Sequence, residues 1–449
     1  MIRWFVPAAL TLTTLAALMP AGELTPAQRG EQALEGRAFL PPFWTMEAYL
    51  QAWHFWPEGP RTAPQPYDQA FLEHYGLHPA PYANGRYPMG MRTSTFLGRQ
   101  GLTDDCMLCH GGSIAGQSYV GLGNTALDMQ ALFEDLNAAS GRAPKTPLVF
   151  TNVRGTSEAG SMAVYLLGYR EPDLSLHPFQ ELGLRENLCE DVPAWWLLKK
   201  KNTMYYTGSI SARSVRSLMQ FMLIPVNSAH KFQQEEATFR DIQAFIQSLQ
   251  PPRYPFPIDP ALAHSGERVF HEHCARCHGT YGKEWTYPNK IVPIDVIGTD
   301  RTRYDGFSAT FWEHYNQSWF AHEHSGWLAD DYPSQATAGY QAPPLDGIWA
   351  TAPYFHNGSV PTVYNVLNSR TRPRIFTRSF RTGKEEYDPV KLGWKVQVLD
   401  AGPDPALPAF ERRKVYDTTQ PGRCNGGHTF GDDLTEPERM EVIEYLKTL

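Results

Sequence analysis

Cys106-Met107-Leu108-Cys109-His110 and Cys274-Ala275-Arg276-Cys277-His278 are two copies of one pattern, Cys-x-x-Cys-His, in a chain of 449 residues. In each copy two thiols stand one helical turn apart and an imidazole follows directly. Such a set can add its thiols across the two vinyl groups of a haem and offer the histidine to the iron from one face. The plainer readings are a thioredoxin-like thiol pair or half of a zinc site. Zinc wants paired ligand sets at finger-like spacing, whereas these pentads lie 168 positions apart (106 to 274). Each is followed by glycine, at Gly111-Gly112 and at Gly279. The pattern predicts two covalently bound c-type haems, held through Cys106, Cys109, Cys274 and Cys277, with His110 and His278 as proximal ligands.

Working outward, the string Pro251-Pro252-Arg253-Tyr254-Pro255-Phe256-Pro257 divides the chain. Its prolines favour an extended, stiff connector over helix or strand. Just before it, Phe239, Ile242, Phe245, Ile246 and Leu249 fall on one face of an amphipathic helix. Val442, Tyr445, Leu446 and Leu449 repeat that face 200 positions later, which reads as the same closing helix used twice. Asp259 as N-cap and Pro260 at the first helical position open a helix that runs toward Cys274. Thr435 with Glu438, and Thr25 with Gln28, have capping-box spacing. Strand signals are short and scattered, at Leu148-Val149-Phe150 and Ile291-Val292. The expected fold is mainly α: two tandem cytochrome c-like haem domains, residues 23–250 and 259–449, joined by a linker at 251–258, with long loops and little strand.

Composition narrows the partners. Net charge is −7, and no basic stretch exceeds Lys199-Lys200-Lys201, which argues against nucleic acid. The start of the chain has one positive charge, Arg3, then an apolar run from Trp4 to Met19 and Pro20-Ala21-Gly22-Glu23. This reads as a signal peptide over residues 1–22, too short for the roughly 20 apolar residues of a spanning helix. Export to the periplasm agrees with haem attachment, which takes place outside the bacterial cytoplasm; a membrane association would require the signal to stay uncleaved. Cys189 and Cys424 lie outside the pentads. A disulfide between them and two free thiols are both compatible with the sequence.

The face of each iron opposite its pentad histidine decides the chemistry, since a second strong ligand makes an electron carrier and an open position binds peroxide or dioxygen. For the second haem the leading candidate is His428, in Asn425-Gly426-Gly427-His428-Thr429-Phe430-Gly431. Its flanking glycines let backbone approach a flat macrocycle, and the closing helix starts just afterwards. His356 is its rival, with His322 and His324 behind. For the first haem, no histidine occurs between Gly111 and Leu176, where the methionines are Met129 and Met162. His54, His74, His78, His177 and His230 remain as donors from farther away. The nearby stretch Ser113 to Leu132 is glycine-rich and apolar, so the first haem is expected to be five-coordinate or weakly ligated.

Ala352-Pro353-Tyr354-Phe355-His356-Asn357-Gly358-Ser359-Val360-Pro361-Thr362, the terminal Tyr445-Leu446-Lys447-Thr448-Leu449 and the paired pentads resemble the bacterial di-haem cytochrome c peroxidase superfamily, which includes the MauG-type enzymes. Pro193 to Lys201, Gly298-Thr299-Asp300, Pro344 to Trp349 and Gly427 to Gly431 are similar to the rubber-oxygenase-like branch. The resemblance implies His428 where ordinary members carry a methionine ligand, hence a bis-histidine second haem. It also implies that the distal histidine after the first pentad is missing, which argues against plain peroxide reduction and favours a first haem that holds dioxygen or a high-valent iron-oxo species. Trp195 or Trp196 is implied as a relay between the haems, against the plainer reading of core packing, and His356 as a group near the second haem's propionates. A calcium ion occurs between the domains in the wider family, though no distinctive ligand motif for one is present.

Three functions follow as expectations. The first is a periplasmic di-haem oxidoreductase that activates peroxide or dioxygen at the haem held by His110 and draws electrons from a partner such as a small cytochrome. A non-catalytic electron-transfer cytochrome and a haem sensor are the others.

Overall fold

The computed structural model describes residues 23–57, 59, 62–185, 187–325 and 328–449; the expected signal peptide, 1–22, lies outside them. The helices that position the pentads are α1 (Pro26–Gly36), α2 (Met107–His110), α3 (Ala229–Ser248), α4 (Pro260–His273), α5 (Ala275–His278) and α6 (Glu436–Leu446). The start signals act as expected. Thr25 and Gln28 form a capping box on α1, as do Thr435 and Glu438 on α6. Asp259 accepts from the amides of Ala261 and Leu262 at the start of α4.

Two helix pairs form at contact too close for a side chain. α1 packs on α3, and α4 packs on α6. A Cβ on Gly30 would lie 2.0 Å from the carbonyl oxygen of Asp241, and one on Gly266 would lie 1.8 Å from that of Glu441. The two crossings therefore use equivalent positions of the two closing helices, 200 residues apart. Around them apolar side chains complete the seam: Ile242, Phe245 and Ile246 on α3, and Val442, Tyr445 and Leu446 on α6, are all buried. Phe270 of α4 meets Tyr445 of α6 at 5.3 Å between ring centroids. Each such side chain removed from water contributes about 1.5–3 kcal/mol.

Helix outweighs strand, at 37% against 13%, yet sheet is more prominent than the sequence suggested, in seven small sheets among the described residues. The first pentad sits between two hairpins. β1 (Met91–Phe96) pairs antiparallel with β2 (Arg99–Asp104), and β3 (Gly111–Ile114) with β4 (Gln117–Val120). Leu97-Gly98, both at positive φ, make the tight turn of the first. Leu148 to Phe150 is not a strand, whereas Ile291–Pro293 is, paired with Gly339–Gln341. The connector at 251–258 is extended, as its prolines require, but it is strapped down. Trp349 donates its indole N–H to the Pro252 carbonyl at 2.9 Å, and Phe256 stacks on Tyr387.

Because the crossings tolerate no Cβ, Gly266→Val is expected to lower the stability of the haem-loaded protein by about 1–3 kcal/mol or more, read as a fall in the guanidinium midpoint. Gly36 at the end of α1 has open space where a Cβ would go, so Gly36→Ala should leave the midpoint unchanged or raise it.

Candidate functional site

All six pentad ligating residues line one cavity of about 900 Å³, together with Trp195, His356 and His428. The size lies at the upper end of the roughly 300–1,000 Å³ typical of cofactor sites.

The first pentad is held from three sides. Asp105 accepts the amide of Met107 at 2.8 Å, starting α2. The other oxygen of Asp105 pairs with buried Arg92, whose remaining nitrogens donate to the carbonyls of Leu34 and Glu35 at 2.9 and 3.0 Å. This ties the pentad to the last turn of α1. Asn124 donates to the carbonyls of Gly76 and Leu108, and its amide N–H bonds the Cys109 carbonyl at 2.7 Å. Burial pushes the Cys109 thiol up to about 12 and raises Cys106 further. Asp104 also lines the cavity, with one oxygen unpartnered; burial, then the charge of Asp105, raise it to about 7.

The glycine-rich stretch after this pentad packs beside the pentad histidine. Gly121 donates to the His110 carbonyl and accepts from the amide of Trp195, each at 2.8 Å. Gly123 lies against the carbonyl of Val192. The stretch thus packs with the segment Val192 to Trp195 on the same side as His110. Burial lowers His110 to about 4, opposed by the carbonyl of Pro193, and Trp195 stacks on its ring at 4.9 Å and 26°.

The second pentad continues from α4: the amide of Cys274 closes the last turn on Phe270 at 2.8 Å, and α5 carries Cys277 and His278. Burial pushes the Cys274 thiol up to about 12. Gly279, at φ +82°, passes within reach of the Thr286 carbonyl where a Cβ would not fit. His278 donates from Nδ1 to the Pro343 carbonyl at 2.8 Å, the orienting bond expected of a ligating imidazole.

His428 stands opposite. Its ring centroid is 6.3 Å from that of His278, and the ring planes are inclined at 55°. Two metal–nitrogen bonds of about 2 Å plus the radii of the two rings require roughly that separation. Burial and the nearby His278 lower His428 to about 4, which keeps it neutral. Its backbone is at φ +45°, beside Gly427 at +71°, and its amide bonds the Ile297 carbonyl at 2.7 Å. Arg372 clamps this loop by donating to the carbonyls of Asn425 and Gly427, both at 2.7 Å, and of His428. Sequence reasoning missed Arg372, since no motif marks it.

His356 is buried in the cavity wall, stacked on Tyr340 at 4.2 Å, and its carbonyl accepts from the Asp191 amide. It stands beside the site without facing either pentad histidine ring among the described contacts. His322 pairs with Asp331 at the surface; the side chain of His324 lies outside the described residues. His54 stacks on Trp53, His74 lies between Trp56 and Phe410, and His78 bonds Asn124. His177 reaches the Pro178 carbonyl and His230 reaches Gln234. None of these lines the cavity; Met129, Met162 and Met204 do. Trp196 is fully buried, and its indole N–H donates to the Asp346 carbonyl at 2.8 Å. Cys189 and Cys424 are both free, and among the described residues no cluster of three or more His, Cys, Asp or Glu is set to hold a metal ion.

Residues 339–377 match the RoxA-like, cytochrome c-like family. That segment contains Pro343, His356 and Arg372, three of the groups that shape the second site. An uncharacterized protein of Sinorhizobium fredii (strain NBRC 101917 / NGR234), y4iM, is 30% identical over 295 residues, 58% of this chain and 64% of its own length. A second uncharacterized protein of that organism, y4iJ, is 31% identical over 262 residues, 45% of this chain and 41% of its own. The chain spans less than two thirds of either relative. The matched segment is that of a RoxA-like cytochrome c, which implies a c-type haem and a haem-based redox role.

If all four pentad thiols are consumed as thioethers, the denatured holoprotein should show two reactive thiols of its six cysteines. Before denaturation the exposed Cys424 should react and the buried Cys189 should not; a dithionitrobenzoate titration reads both numbers.

Proposed function

We propose that the chain is an exported di-haem c-type oxidoreductase that activates peroxide or dioxygen at the site of His110 and stores or passes electrons at the site of His278. The observation that carries the reading is the asymmetry of the two pentads. His278 faces a second imidazole at the separation one iron would require, whereas the ring neighbour of His110 among the described residues is Trp195. The paired helix crossings at Gly30 and Gly266 support two tandem cytochrome c-like units, 23–250 and 259–449. A c-type haem with an open position supplies peroxide or dioxygen activation, and one closed on both sides supplies electron storage.

The chain's own residues fit these tasks. Pro343 holds His278 in the tautomer that leaves Nε2 free to ligate. Arg372 fixes the loop that presents His428. Trp195 on His110, the adjoining Trp196, and the Trp196 bond to Asp346, three residues from Pro343, make a continuous route from one proximal histidine to the other. A small redox protein would deliver the electrons.

The second reading, a closed electron-transfer cytochrome, is favoured by the thioethers of Met129, Met162 and Met204 in the cavity wall. Carbon monoxide separates the two. The reduced protein is expected to bind one carbon monoxide per two haems, and His428→Ala two, with added imidazole restoring the single site. A wild-type protein that binds none would sink the enzyme reading. Peroxide consumption with a reduced small cytochrome, compared with oxygen uptake on an unsaturated hydrocarbon, then distinguishes peroxidase from oxygenase.

A further inference from the structure

The run Lys199-Lys200-Lys201 sends its three side chains to three places. Lys199 bonds Gln250 at 2.8 Å, and Lys200 pairs with Asp346 at 2.8 Å. Lys201 lines the cavity, and its side chain has no hydrogen bond or ion pair among the described residues. Burial and the neighbouring charge of Arg303 bring its ammonium down to about 8. Arg303 lines the same wall. Its Nε donates to Glu190 at 2.7 Å, with both side chains under one-tenth exposed, while its two terminal nitrogens make no hydrogen bond among the described residues.

Glu190 is already shared, since its second oxygen takes the Gly160 amide at 2.7 Å. The other nearby acid, Asp191, has one side-chain oxygen without a hydrogen-bond partner, and burial raises it well above the usual carboxylate range. Lys201 and the terminal nitrogens of Arg303 therefore present unpaired donors among the residues that line the cavity. A buried charge without a partner is costly, and a guanidinium fork with free donors is suited to a planar carboxylate.

The location is central. The hydroxyl of Tyr206 donates to the Asp191 carbonyl at 2.9 Å, and the Tyr206 carbonyl accepts from the Gln341 amide at 2.7 Å. Asp191 and Gln341 each stand two residues ahead of the proline that faces a pentad histidine. Tyr206, lying under the Arg303 guanidinium, thus joins the two proximal segments.

We propose that Lys201 and Arg303 form a carboxylate-binding site between the two pentads. Its carboxylate comes either from a haem propionate or from a diffusible organic acid. The inference rests on the di-haem reading, so the haem count is taken first: mass spectrometry showing fewer than two haems on the wild-type protein defeats that reading and not this one. With two haems present, midpoint potentials are measured for wild type, Lys201→Met, Lys201→Gln and Lys201→Arg. Loss of the positive charge should shift one haem's ferric–ferrous equilibrium at least tenfold toward ferric, which is 59 mV for one electron; Lys201→Arg should stay within threefold. Neutral variants that fail to retain both haems while Lys201→Arg keeps them would also support the site. Octanoate is titrated in parallel. A saturable Soret change seen in wild type and absent from Lys201→Met, with unaltered potentials, assigns the site to a diffusible acid. Potentials within twofold in both neutral variants, with no octanoate response, would overturn the proposal.

Discussion

Backbone-on-backbone contact at two helix crossings is the constraint from which the site follows. At Gly30 and Gly266 a helix rests directly on a carbonyl of its partner, and that fixes where each opening helix ends. In the second half the consequence is immediate, because α4 runs straight into Cys274. In the first half some seventy residues separate α1 from its pentad. Arg92 bridges the gap, bonding the terminal carbonyls of α1 with two nitrogens and Asp105 with the third. One half uses covalent continuity and the other a buried ion pair to place the same turn of chain. Removing either member of that pair would leave a buried charge uncompensated.

The two sites differ for a reason visible in packing. The loop from Asn425 to His428 needs positive φ at Gly427 and His428, a clamp from Arg372, and a backbone bond to Ile297. All of these hold one imidazole where it faces another. Around the first pentad, the five histidines that could have come from a distance are each occupied elsewhere, by stacking or by a hydrogen-bond partner. The wall there is apolar, with thioethers. The surroundings of the two pentads thus differ in which loops are braced and which histidines are already engaged.

Much of this was legible from the chain alone. The pentads, the capping boxes, the N-cap at Asp259 and the repeated closing helix are local patterns, and local patterns survive without coordinates. His428 was readable because glycines flank it just ahead of a helix. Which side of His110 the stretch after the first pentad packs on was not legible, since nearness along the chain does not fix it. The Arg372 clamp and the bonds of Asn124 to His78 and Gly76 depend on partners 46 to 56 residues away, whereas the hairpin at Leu97-Gly98 is local and was missed all the same. Lys201 was hidden in a short basic run, because only the fold separates three adjacent lysines into three environments.

The strap of residues 251–258 has a mechanical meaning. Its carbonyl at Pro252 is held by Trp349, its Tyr254 hydroxyl by the Pro389 carbonyl, and its Phe256 ring lies flat on Tyr387. A hinge needs slack, and this segment has none. All three partners belong to residues 259–449, so the connector is built into the packed surface of the second half.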